Sequence, residues 1–92
     1  MIVRIMGEGQ FNVSGAVLDE LNEVDNAIVE AIAGEQHDQF HRLMLKMHEL
    51  VVGRGKALPI EEIVESDLIL PAPDSSMDEV RELFSGEGMI PG

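Results

Sequence analysis

The chain has 92 residues, enough for one domain with one core and too few for two. Its 18 acidic and 6 basic residues give a formal charge of −12, which excludes a nucleic-acid binder, because phosphate neutralisation needs clustered Lys and Arg. The lack of Cys excludes disulfides, thiolate nucleophiles, iron–sulfur clusters and Cys-ligated zinc, and the lack of Trp and Tyr removes the usual stacking platforms. At 45% hydrophobic residues the chain is globular rather than disordered. No signal peptide is legible and no apolar run approaches the ~20 residues of a membrane-spanning helix, so a cytoplasmic domain without membrane insertion is expected.

In chain order, Met1 to Met6 read as a strand interrupted only by Arg4, a residue that either points to solvent or pairs with an acid. Gly7-Glu8-Gly9 reads as a hairpin turn, and Gln10 to Val13 alternate as a half-buried second strand. A phosphate-cradling reading of these glycines is weak, since no helix starts there and no Lys follows. Ser14 is placed to cap a helix that runs to about Ala33. Val17, Leu18, Leu21, Val24, Ile28, Ala31 and Ile32 line one side of it, and Asp19, Glu20, Glu23, Asn26 and Glu30 cover the other. Gly34 is expected to stop it in the left-handed conformation.

The spacing predicts a second helix from about Glu35 to Val52, with Phe40, Leu43, Met44, Met47, Leu50 and Val51 on its apolar face and Gly53 and Gly55 ending it. One glycine between the helices implies an antiparallel αα-hairpin. Beyond it, Pro59 opens a short helical turn expected over Ile60 to Val64. Asp67 to Leu70 reads as an edge strand or an extended arm closed by Pro71-Ala72-Pro73. Ser76 with Glu79 forms a capping box before a last helix that carries Met77, Val80, Leu83 and Phe84 on its core side. Gly86 stops that helix, and Met89 and Ile90 of the tail are available to tuck back onto the core.

These elements give a single α+β domain over residues 1–92, with an N-terminal β-hairpin, a long antiparallel αα-hairpin, a proline-bounded segment and a C-terminal helix. Its core is expected to contain Ile2, Val3, Ile5, Phe11, Leu21, Val24, Ile28, Phe40, Met44, Met47, Val51, Val80 and Leu83.

Candidate chemistry is sparse. His37, His41 and His48 fall within about 40° of one another on a helical wheel. His37 and His41 have the i, i+4 spacing of a two-ligand metal site, but the residue after the first is Asp38 rather than the Glu of helical metalloproteases. His48 is about 16 Å along the axis from His37 and cannot share its ion. The plainer reading is that all three border the apolar stripe, half buried and half wet. The acids of the first helix match no calcium loop and read as a solvated face that steers basic partners. Met6, Met44, Met47, Met77 and Met89 read as core filling, with a partner groove as the alternative. No serine sits in a nucleophile elbow, so neither catalytic residues nor a cofactor are expected.

The opening MIVRIMGEGQF, the helix LDELNEVDNAIVEAI, the stretch ALPIEEIVESDLILPAPDSSMDEVRELF and the ending GEGMIPG together resemble the PspA-associated family PspAA. The resemblance covers essentially the whole chain. It implies a non-enzymatic accessory of PspA, the coiled-coil phage-shock protein that protects the inner membrane under envelope stress. It transfers no catalytic, cofactor or metal residue, so His37 and His41 gain nothing from it. A helical partner of this kind would be engaged by a helix laid between amphipathic helices, at the edge of the helical hairpin, or by the open edge of the strand hairpin. Self-association stays open, and so does a small metal-binding or catalytic domain built on His37 and His41.

Overall fold

The computed structural model describes residues 1–62 and 64–83. Strand β1 (Ile2–Ile5) turns through Met6–Glu8 into β2 (Gly9–Asn12), followed by helices α1 (Gly15–Ala33) and α2 (His37–Arg54). The two-residue strand β3 (Lys56–Ala57), strand β4 (Leu68–Leu70) and helix α3 (Met77–Leu83) complete the chain's described elements. Phe84 and the tail from Gly86, including Met89 and Ile90, lie outside the described residues, as does the side chain of Leu83.

The hairpin turn is enforced by Gly7 and Gly9, whose φ angles of 89° and 115° are ones that residues with a Cβ rarely adopt. It places Val3 opposite Phe11 and Arg4 opposite Gln10. The sheet has the order β3-β2-β1-β4. β4 is an edge strand parallel to β1, with Val3 opposite Leu68 and Ile5 opposite Leu70. β3 is antiparallel to β2 and was not legible, because two exposed residues carry no alternating pattern. Among the described residues each strand of the hairpin is thus paired on its outer side, β2 only over Phe11 and Asn12. β3 covers Phe11 and Asn12 of β2 on one side and β4 covers β1 on the other, so the sheet edges expected to be free on the hairpin are carried by β3 and β4.

Period-2 alternation sends Val3, Ile5, Phe11, Val13, Leu68 and Leu70 to the core. Ile2 is only half buried, because it shares the outward side of β1 with the exposed Arg4. The inward residues form one cluster with Leu21, Val24 and Ile28 of α1, Phe40, Met44, Met47 and Val51 of α2, and Met77 and Val80 of α3. Met44, Met47 and Met77 are thus core filling, whereas Met6 is exposed.

Ser14 caps α1 by accepting from the Val17 amide at 3.3 Å. At the other end the expected left-handed glycine is displaced by one residue. Gly34 has φ −90°, and Glu35 takes the left-handed position at φ 52°. The Glu35 amide donates to the Ile32 carbonyl and the Gln36 amide to Ala31, the paired bonds of a Schellman motif. The motif needs the left-handed residue one step beyond the cap, so α2 begins at His37 rather than at Glu35. Gly53 does not end α2. The helix continues to Arg54, which pairs with Glu20 of α1, and Gly55 is its cap.

The chain between β3 and β4 must cross from one sheet edge to the other, about 14 Å at three strand spacings. Pro59 to Glu62 form one turn, closed by the Glu62 amide on the Pro59 carbonyl, in place of the expected helical turn. The outward Gln10 side chain donates to the Val64 carbonyl at 2.8 Å and to Ser66 Oγ at 2.7 Å. The segment is thereby a strap laid across the sheet face opposite the helices. At its end the Ile2 amide donates to Asp67 Oδ2. The expected capping box is present: Glu79 N–H donates to Ser76 Oγ and Ser76 N–H to Glu79 Oε1.

Candidate interaction surface

With Phe40, Met44, Met47 and Val51 turned into the core, α2 presents two flanks. At about 100° per residue, Gln39, Leu43, Lys46, Leu50 and Arg54 fall on one, and His37, His41, Leu45, His48 and Val52 on the other. The first flank meets α1 across a groove of about 340 Å³ lined by Glu20, Glu23, Val24, Ala27, Leu43, Lys46 and Leu50. The α1 lining falls at i, i+3, i+4 and i+7, and the α2 lining at i, i+3 and i+7. Leu43 and Leu50 are half buried against the core and form one apolar wall.

The charges on the two banks are of opposite sign. α1 carries Asp19, Glu20, Glu23, Asp25 and Glu30 and no basic residue. The groove flank of α2 carries Lys46 and Arg54 and no acid. Arg54 Nη1 donates to Glu20 Oε2 and ties the two helices at one end. Both side chains are about half exposed, so this pair contributes under about 1 kcal/mol and acts as a positioning contact.

The other flank holds the histidines. His48 is half buried and its Nε2 pairs with Glu8 Oε2 in the β1–β2 turn. His37 and His41 are exposed, so the expected half-buried border applies to His48 alone. His48 meets the β1–β2 turn through Glu8, whereas in the first turn of α2 only Phe40 is buried. His37 and His41 stay four residues apart on one helix. Among the described residues no group of three or more His, Asp or Glu gathers that could hold a metal ion.

One polar residue escaped the sequence reading. Asp25 of α1 is wholly buried and engaged in an interaction. The signal was present, since Asp25 lies one turn from Leu21 and next to Val24, on the buried side of the helix.

No helix among the described residues is long and apolar enough to cross a membrane. Comparison with curated proteins and comparison with solved structures gave no match. A scan against family models matched PspAA, described as PspA-Associated protein, over residues 1–92. With the whole length matched, the chain belongs to the PspAA family of PspA-associated proteins.

Proposed function

We propose that this protein is a cytoplasmic, non-catalytic accessory of the envelope-stress response, acting by direct contact with a PspA-type coiled-coil protein. The full-length family match carries this reading, because the family is named for association with PspA. Two features support a protein-binding role. The formal charge of −12 gives the domain a field that steers basic surfaces toward it. The helical hairpin keeps a groove at its edge with an apolar wall of Leu43 and Leu50 between charged banks, the surface type that accepts an amphipathic helix.

Capture of the tagged domain from its own host's lysate, with mass spectrometry at low and high salt, tests the reading. Recovery of the PspA homologue is expected, with less recovered at high salt as exposed charges are screened. Failure to recover it at either salt would remove the reading.

A further inference from the structure

We propose that the groove between α1 and α2 seats a single helix of the partner, with that helix's basic flank along α1 and its acidic flank along α2. This rests on the partner reading above and adds the seat, the form of the occupant and its orientation.

The first ground is spacing. Glu20, Glu23, Val24 and Ala27 stand at i, i+3, i+4 and i+7, the four-residue hole that receives a knob in coiled-coil packing. Leu43 and Leu50 face this hole from α2, seven residues and about 10.5 Å apart, which is one heptad. A helix with an apolar heptad seam therefore finds one hole and one heptad of wall already built. Ala27 lets the helix approach closely.

The second ground is charge. A coiled-coil helix flanks its apolar seam with charged residues, and these set partner choice and orientation. Here the α1 bank is acidic through Glu23, and the α2 bank is basic through Lys46. Only one rotation of an entering helix places opposite charges on both banks. A uniformly basic helix would satisfy α1 and be repelled by α2.

The third ground concerns the occupant. The family match names PspA, not a second copy of this chain, as the associate, so the occupant is taken from that protein. The occupant must be convex, as a helix is.

The experiment measures binding of the purified PspA homologue of the same host to the full chain by calorimetry. The double variant Glu23→Lys/Lys46→Glu exchanges the banks and leaves the net charge unchanged. It is expected to weaken binding about tenfold or more. The control Lys56→Glu/Glu62→Lys, on exposed residues of β3 and the strap, also conserves charge and is expected to stay within about twofold of the wild type. Ala27→Trp, which fills the groove, is expected to weaken binding with its circular-dichroism melt retained. Should that variant fail to fold, the charge exchange still decides. Unchanged affinity in the exchange variant would overturn the seat while leaving the partner reading intact. Absence of wild-type binding would overturn both. A homodimer seen by light scattering and lost in the exchange variant would overturn the occupant in favour of a second copy.

Discussion

Gly55 has no room for a methyl group. A Cβ there would lie 2.4 Å from the Val51 carbonyl oxygen and 3.0 Å from Val13 Cγ1, although the backbone, at φ −85°, is open to any residue. Gly55→Ala is expected to lower unfolding free energy by about 1–3 kcal/mol in urea melts, through overpacking rather than backbone strain. Gly34 is the opposite case. Its Cβ would meet neighbours only at 3.5 Å or more, so Gly34→Ala is expected to be neutral or to stabilise by up to about 1 kcal/mol. At Glu35 the left-handed backbone penalises a side chain, and Glu35→Gly is expected to stabilise by up to about 1 kcal/mol in the same melts. Asp25 is buried and engaged, so Asp25→Ala strips a polar interaction from the core and is expected to cost about 1–3 kcal/mol.

Among the elements, α3 depends on its cap and its buried face. Over its described residues, Met77–Leu83, it is sustained by its capping box and by the burial of Met77 and Val80. Ser76→Ala is expected to cost about 0.5–2 kcal/mol, read as lower helical content and an earlier melt. The strap is likewise held by side-chain bonds, from Gln10 along its course and from Asp67 at its end. Gln10→Ala removes both bonds to Val64 and Ser66, worth about 1–2 kcal/mol together. Faster amide exchange and proteolysis across the strap are expected, with the α1 and α2 amides unchanged. Most element boundaries were legible because local chemistry marks them: Ser14 as a cap, Gly7 and Gly9 as a turn, and Ser76 with Glu79 as a box. The strap was misjudged because Pro59 is equally suited to open a helical turn or a β-turn. The strap that follows the turn is held by Gln10, 54 residues away from Val64 in sequence.

The helices cover one face of the sheet and the strap crosses the other, while β3 and β4 pair with the outer sides of the two hairpin strands. Edge-strand addition by a partner is thus left to the short strands β3 and β4, whereas the helical edge keeps a groove. The large acidic excess makes association sensitive to ionic strength. Raising salt from 0.05 to 0.5 M shortens the Debye length severalfold and is expected to weaken binding of the PspA homologue about tenfold, mainly through slower association in stopped-flow traces.

The amino-acid order is enough to fix the α+β class, the amphipathic stripes of α1 and α2, the caps and the family. Each rests on short-range patterns: a period of 2 or 3.6, a capping residue, or a run of family residues. The pairing of β1 with β4, the strap and the exposure of His37 and His41 are long-range outcomes. So is the meeting of an acidic bank with a basic one. None leaves a local signature, since Lys46 and Glu23 read separately as solvated charges on two helices. Packing α1 antiparallel to α2 sets those flanks side by side, and the groove exists only once both stripes have turned into the same core.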